Sequence, residues 1–259
     1  SNKDWTVTLG ANYTHNDNRA IALPGNGSLE LFKNNYFVVG ERFPTFMLSD
    51  YARDPQGHII VDQQGNVKQA AQDTKVGTSQ PVHMFGANML VRYKQFELSA
   101  QVDSRWGSVF HTAAAESTLN NGLLPRTAEN DRQPFIIPNS VVEVSPGVYE
   151  ANNSVYSAGD QAWWLGAQRS FLAPNSFNAK YVKLRELSIR YTIPGQTLKR
   201  MGFIKSASVA LIGRNLINIR DKSNIFGESE FIYLSNIGFS GWRTLPASRT
   251  YGLNLNLTF

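Results

Sequence analysis

The chain has 259 residues, a formal net charge of +5 at pH 7, 12% aromatic residues and no cysteine. It therefore has neither disulfide bonds nor thiolate metal sites, and its scattered lysines and arginines argue against a nucleic-acid surface. No run of about 18 apolar residues is present, so the sequence predicts no transmembrane helix. Abundant Asn, Ser, Thr and Gly with few helical patterns favour β-structure that has one polar and one apolar face.

The amino-terminal stretch predicts a strand. Residues 4–14 alternate with period two, and their apolar positions are Trp5, Val7, Leu9, Ala11 and Tyr13. A poorer strand is predicted within residues 28–42. Residues 43–80 are loop-like and contain a small hairpin around Gln64-Gly65.

The next two strands form a hairpin. Residues 85–93 and 96–102 both alternate, and only Lys94-Gln95 separates them. Tyr93 and Phe96 flank the turn, as aromatic residues do at the edge of a membrane-embedded apolar band. Residues 108–180 then lack a convincing periodic segment, and loops of such length are usually functional.

Three further strands are predicted over residues 181–194, 206–218 and 249–259. In the last of these, one face is wholly apolar, with Tyr251, Leu253, Leu255, Leu257 and Phe259. That face could pack on a second sheet, as in a soluble sandwich. It could equally face lipid, as in a transmembrane barrel whose strands need about 9–11 residues.

Connection lengths favour the barrel. The connections 94–95 and 195–205 are short, whereas those before Pro81, after Gly107 and after Ile217 are long. Outer-membrane barrels alternate in this way, because their periplasmic turns are short and their extracellular loops are long. The pattern places Phe259 at the periplasmic end and makes it a candidate assembly signal.

The strand count predicts an incomplete barrel. We count six strands and a poorer seventh, and fewer than eight do not close a transmembrane barrel. With seven, the first and last strands would run in the same direction and could not pair antiparallel. The prediction is an all-β fold in which residues 1–259 form a carboxy-terminal arc of about seven strands. The plug domain and earlier strands would lie outside this chain.

The carboxy-terminal third resembles SusC/RagA-like TonB-dependent outer-membrane transporters. The motifs that carry the resemblance are Tyr-Val-Lys-Leu-Arg-Glu-Leu-Ser-Ile-Arg-Tyr-Thr-Ile-Pro at 181–194, Gly-Arg-Asn-Leu at 213–216, Leu-Pro-Ala-Ser-Arg-Thr at 245–250, and the final strand. Residues 85–107 are similar to the family as well.

The resemblance implies an importer of glycans or peptides in the cell outer membrane. It also implies a barrel of about 22 strands, a plug that contacts TonB, a SusD-like surface lipoprotein, contact with lipid and lipopolysaccharide, and possible dimers of transporter–lipoprotein pairs. Two rivals remain open at this point. One is a passive porin or structural barrel component without TonB coupling, and the other is a soluble sandwich that binds carbohydrate.

Candidate site residues fall into two groups. Trp163 and Trp164, within the longest loop, could stack on a substrate or pack the loop against itself or a lid. Glu186, Arg190 and Arg214 occupy predicted lumen-facing positions, where they could contact the plug or line the transport path. Lys183 and Arg185 share the outward phase of Leu187, so the pattern predicts contact with lipid head groups, lipopolysaccharide or solvent.

The sequence indicates no enzyme, cofactor or metal site. It has no nucleophile-elbow signature and no glycine-rich phosphate loop before a helix. His15, His58, His83 and His111 lack ligand spacing. Asp54, Asp62 and Asn66 fit no calcium-loop register, and a polar hairpin is the preferred interpretation of that stretch.

Overall fold

A computed structural model describes residues 4–25, 27–32, 34–156, 171–199, 202–224, 239–240 and 247–259. Within these residues the strands are β1 (Trp5–His15), β2 (Ser28–Phe32), β3 (Asn35–Val38), β4 (Thr45–Leu48), β5 (Ile59–Val61), β6 (Thr74–Thr78), β7 (His83–Tyr93), β8 (Phe96–Trp106), β9 (Val109–Thr112), β10 (Ser140–Ser145), β11 (Val148–Ala151), β12 (Ser176–Asn178), β13 (Tyr181–Thr192), β14 (Ser206–Arg220), β15 (Phe239–Ser240) and β16 (Thr250–Thr258). The helices are α1 (Ala113–Asn120) and α2 (Gly195–Leu198), with 3-10 turns at Pro125–Arg132 and Ala173–Asn175. In the described part of the chain, no helix has the length and apolar character needed to cross a membrane.

Six long strands form the main sheet. Their order is β1-β7-β8-β13-β14-β16, and every neighbouring pair is antiparallel. Each has nine to fifteen residues, enough for a tilted strand to cross the apolar part of a bilayer. The sheet therefore has the meander topology of a membrane barrel wall.

Strand register builds a continuous apolar face. One row of directly opposed residues crosses all six strands, namely Val7, Val91, Leu98, Ile189, Leu211 and Leu253. Ile189, Leu211 and Leu253 are 50%, 63% and 72% exposed. No described part of the chain covers these side chains as the second layer of a sandwich would. The apolar surface is thus left for an apolar environment.

Aromatic residues border this face where the short connections lie, which we call the short-turn end. Trp5 and Tyr93 are opposed with ring centroids 4.3 Å apart, and Phe96 and Tyr191 are opposed at 4.9 Å. Phe259 reaches the same end and stacks on Phe203 at 6.2 Å. The opposite end, from which the long segments leave, is the long-loop end.

The long segments fold into small sheets rather than irregular loops. β2, β3, β4 and β6 form one sheet, β5 pairs in parallel with β10 of the next segment, and β9 pairs with β12 and β15. Val61 and Ile137 form a small core between two of the segments. The predicted hairpin around Gln64-Gly65 is confirmed by the bridge between Val61 and Val67.

The strand predicted within residues 28–42 is not part of the main sheet. It is the hairpin β2–β3, because Asn34 adopts a left-handed conformation, with φ of 64°, and turns the chain back. The main sheet consequently has six strands, and its first and last strands run in opposite directions. The expectation that they run the same way is wrong.

Both margins of the main sheet are open within the described residues. β1 pairs only with β7 and β16 only with β14, and all nine residues of β16 are exposed. The predicted fold class, an antiparallel all-β partial barrel, is confirmed. The connections between sheet strands also alternate long and short without exception along the chain.

Candidate functional site

The polar face of the main sheet is the candidate functional surface. It lies opposite the apolar rows, because successive side chains of a strand point to opposite faces. On β16 this face carries Thr250, Asn254 and Asn256, and on β13 it carries Glu186, Ser188 and Arg190. Ser188 and Ser99 are directly opposed and share a hydrogen bond of 2.7 Å between their hydroxyls.

Glu186 and Arg214 form an ion pair between β13 and β14. They are directly opposed, and Arg214 Nε donates to Glu186 Oε2 at 2.9 Å. Their side chains are 37% and 62% exposed. An ion pair this exposed contributes little to stability, about 0–1 kcal/mol. Its main effect is to neutralise the charge of both side chains on the polar face of the main sheet.

A second charged group lies near the short-turn end. Glu97 accepts a hydrogen bond of 2.6 Å from Arg92 Nε, and its other oxygen lies 3.3 Å from Arg190 Nη1. Three neighbouring strands, β7, β8 and β13, are linked in this way. Glu186, Arg190 and Arg214 therefore all lie on the polar face, and each is paired with an oppositely charged residue.

A β-bulge at Arg185 shifts the phase of β13. Leu184 is opposite Val102 and Glu186 is opposite Gln101, so Arg185 is an extra residue relative to β8. The residues before the bulge consequently point to the opposite face from the one that simple alternation predicts. On β14 the facing irregularity includes Asn215, which has φ of 53°.

The bulge assembles a polar cluster towards the long-loop end. Arg185 donates to both carboxylate oxygens of Asp103, and Tyr181 Oη donates to Asp103 Oδ2 at 2.7 Å. Lys183 Nζ lies 5.0 Å from the centroid of the Tyr181 ring. Tyr181 and Lys183 are 1% and 2% exposed and the side chains of Arg185 and Asp103 are 23% and 24% exposed, so this cluster is more buried than the Glu186–Arg214 pair.

The outward assignment of Lys183 and Arg185 is wrong. Lys183 is opposite Asp103 on the polar face, and Arg185 binds Asp103. The sequence contains a signal that could have revealed this. Charged residues occupy the odd positions 183 and 185 and then the even positions 186 and 190. Such a change of parity is what one inserted residue produces.

The two tryptophans predicted to contact ligand, Trp163 and Trp164, lie outside the described residues. Substrate contact by these two side chains stays a prediction.

Asp54 and Asp62 close two similar turns in the long segment after β1. Asp54 accepts hydrogen bonds from the backbone of Gln56 and His58 and from the His58 ring. Asp62 does the same for Gln64 and for the backbone and side chain of Asn66. Burial raises the pKa of both carboxyl groups, but the hydrogen bonds outweigh it and hold each pKa below its ordinary value. The polar-hairpin interpretation is consistent with these turns, since the carboxylates are engaged by the chain itself.

The histidines are arranged differently from what their spacing suggests. His15 and His83 are opposed on β1 and β7, His58 pairs with Asp54, and His111 is buried in β9. Among the described residues, no three His, Asp or Glu side chains are grouped as a metal-binding cluster.

The fold and this polar wall define a segment of an antiparallel β-barrel. No family model matches the chain. It is similar along its whole length to TonB-dependent receptor P3 of Formosa agariphila (strain DSM 15362 / KCTC 12365 / LMG 23005 / KMM 3901 / M-2Alg 35-1), at 21% identity and over 27% of that protein.

Solved structures give the same result for the fold. The whole chain superposes on the RagAB peptide importer in its closed-closed state, with a TM-score of 0.65, 19% identity and 28% of that chain covered. The open-open state gives a TM-score of 0.61, with 18% identity and 27% of that chain covered. The resemblance to SusC/RagA-like TonB-dependent transporters is thus confirmed, and this chain spans about a quarter of the length of these relatives. By name, the relatives are a receptor and importers rather than enzymes.

Proposed function

We propose that this chain forms part of the wall of a TonB-dependent importer in the outer membrane. The observation that carries the proposal is the exposed apolar row from Val7 to Leu253 on one face, backed by ion-paired charges such as Glu186 and Arg214 on the other. A membrane barrel requires this division, because lipid surrounds it and water or protein fills it. It is also the division that the resemblance to TonB-dependent transporters implies.

The chain would be an arc of a larger barrel domain. An open margin in lipid leaves backbone amides unpaired, at a cost of several kcal/mol for each group. β1 and β16 therefore need further strands, and their opposite directions mean that an even number of additional strands allows antiparallel closure. This chain spans 27% and 28% of the length of two of these relatives. Such a fraction agrees with an arc of a barrel that has about 22 strands and also holds a plug.

The short-turn end would face the periplasm and the long-loop end the exterior. The long segments fold into small paired sheets at one end of the wall, which suits a surface that receives substrate. Phe259 would then lie at the periplasmic rim, stacked on Phe203, where it could serve as the assembly signal.

Glu186, Arg190 and Arg214 would face the plug or the transport path. Their compensated charges support a hydrated contact surface for the plug more than a site that holds one ligand, because a ligand would have to compete with existing ion pairs. Motion of the plug, driven by TonB, would then open a path along this polar wall.

The proposed substrates are peptides or glycans, captured with a SusD-like surface lipoprotein. The named activity of the RagAB structures, peptide import, favours peptides. Trp163 and Trp164 remain candidates for substrate contact. Replacing both by alanine should weaken substrate binding if they stack on it, and should leave it unchanged if they only pack a loop.

Uptake of a labelled oligopeptide mixture by cells that carry the full-length protein tests the function. We expect uptake that disappears when the TonB complex is removed or the proton gradient is collapsed, and co-purification of a surface lipoprotein from detergent. A passive porin, the second candidate, would instead conduct ions steadily in a planar bilayer and admit solutes without TonB. Energy-independent uptake would therefore reject the importer.

A further inference from the structure

We propose that His15 and His83 form a two-histidine binding site for a divalent cation of the Zn²⁺ type. The two residues are 68 positions apart in the chain, but the register of β1 and β7 makes them directly opposed partners. Their rings are tilted by 39° with centroids 4.8 Å apart, and their Nδ1 atoms share a hydrogen bond of 3.3 Å.

The distance between the two Nδ1 atoms matches the distance between two ligand nitrogens on one tetrahedral zinc ion. Zinc–imidazole bonds are about 2.0–2.1 Å long, so two nitrogens on one tetrahedral ion are about 3.3–3.4 Å apart. Imidazole nitrogen is also the donor that Zn²⁺, Cu²⁺ and Ni²⁺ prefer, whereas Mg²⁺ and Ca²⁺ prefer oxygen. The donor type and the spacing therefore point to the same class of cation.

Backbone hydrogen bonds hold both histidines in place. The Asn16 amide donates to the Val82 carbonyl at 2.8 Å, and the Val82 amide donates to the Trp106 carbonyl at 2.9 Å. These bonds continue the ladder past His15 and His83 and tie β1, β7 and β8 together. A site on such strands is already organised before the ion arrives, which lowers the cost of binding.

Tyr13 contacts the same nitrogen that the cation would use. Its hydroxyl lies 2.8 Å from His83 Nδ1, and its ring is stacked against the His83 ring at 6.1 Å. This hydrogen bond occupies the nitrogen that a cation would bind. Removing the hydroxyl while keeping the ring should therefore strengthen cation binding.

The site lies at the long-loop end of the apolar face, beside Trp106, which is 44% exposed. In the proposed barrel this position is the outer boundary of the membrane. Two protein ligands leave two tetrahedral positions for water or another donor. The cation site itself does not depend on the transport function, since it needs only the pairing of β1 with β7.

Titration calorimetry of the full-length protein in detergent, after removal of bound metal, tests the site with ZnCl₂ as the probe. We expect one Zn²⁺ equivalent that is lost in H15N and separately in H83N. Loss of outer-shell partners alone costs roughly 10–100-fold in metal affinity, so loss of one ligand should cost at least tenfold. MgCl₂ should produce no corresponding binding. Acidification should weaken Zn²⁺ binding, because only neutral imidazole binds metal.

A matched variant controls the experiment. H58N removes another partly exposed histidine, outside the site, and should retain the Zn²⁺ equivalent, whereas Y13F removes the competing hydroxyl and should raise the affinity for Zn²⁺. Each variant is shown to be folded if, without boiling, it migrates on a gel at the same position as the unboiled wild type. The proposal is overturned if folded H15N and H83N bind as many Zn²⁺ ions as wild type with unchanged affinity.

Discussion

Arg185 donates hydrogen bonds to both carboxylate oxygens of Asp103 from the bulge of β13, between Leu184 and Glu186. The inserted residue reverses the phase of the strand, so that Lys183 and Glu186 lie on the same polar face although their numbers differ by three. Bidentate guanidinium–carboxylate pairs have fixed geometry as well as charge. The pair therefore holds the bulge, and with it the register of everything that precedes Glu186 on β13.

We expect Arg185→Ala to destabilise the folded barrel by about 1–3 kcal/mol, because it leaves Asp103 with only the Tyr181 hydroxyl as a described partner in a part-buried cluster. Urea titration of the detergent-purified protein, followed by gel mobility without boiling, measures the change. Arg214→Ala is the matched control, since its ion pair is more exposed and should cost no more than about 1 kcal/mol. Equal losses in the two variants would contradict the proposed role of the bulge.

Leu255→Arg should destabilise the barrel in the membrane by about 2–4 kcal/mol if the residue lies near the middle of the bilayer. Leu255 is on the exposed apolar face, opposite Val209, and has 62% of its surface free. Its neighbour Asn256 points to the polar face, so Asn256→Arg should be tolerated. Amounts of folded protein in outer-membrane fractions compare the two. A barrel that tolerates arginine equally at both positions is not surrounded by lipid on the assigned face.

Exchanging Glu186 and Arg214 tests whether their charges act only as a pair. The double variant E186R/R214E restores an opposed ion pair on the same two strands, so its stability should return to within about 0.5 kcal/mol of wild type. Each single charge reversal should be less stable because like charges are then opposed. Denaturant midpoints measure stability, and peptide uptake measures function. Uptake that stays low in a stable double variant would assign one of the two charges a specific contact with the plug or substrate.

Acidification should release the start of the first long segment. The hydrogen bond from Arg42, together with Arg19, lowers the pKa of Asp17 to about 2 despite some opposing desolvation. An unfolded Asp titrates near 3.9. The stabilisation from Asp17 is therefore fully present well above pH 4, and it declines between about pH 4 and pH 2 as the carboxylate is protonated.

Pepsin cleavage between residues 16 and 42 measures this release. Cleavage should accelerate as the pH falls below about 4, after correction for the pH dependence of pepsin on an unfolded substrate. Asp17→Asn should cleave readily throughout the range in which pepsin is active. Arg42→Gln should behave in nearly the same way, because it removes the largest cause of the lowered pKa. Identical cleavage of wild type and Asp17→Asn at pH 4 would rule out the ion pair as the anchor.

The two-residue alternation of apolar and polar residues predicted most strands of the main sheet well. The phase of β1, β7, β8 and β16 could be assigned because each apolar position is two residues from the next. No insertion interrupts the pairing of β1 with β7, of β7 with β8 or of β16 with β14. The same rule failed on β13, where one extra residue at Arg185 inverts the face. It failed also at residues 28–42, where the left-handed Asn34 turns an apparent strand into a hairpin.

The sequence by itself determined that this is a β-chain with one apolar and one polar face, long segments at one end and motifs similar to SusC/RagA-like transporters. These properties follow from the two-residue period of any extended strand and from the lengths between strands. Only the tertiary structure decided that β5 pairs with β10, that Arg185 binds Asp103, and that His15 meets His83. Such contacts join residues far apart in the chain, so they depend on register, bulges and the packing of separate segments, which no local pattern contains.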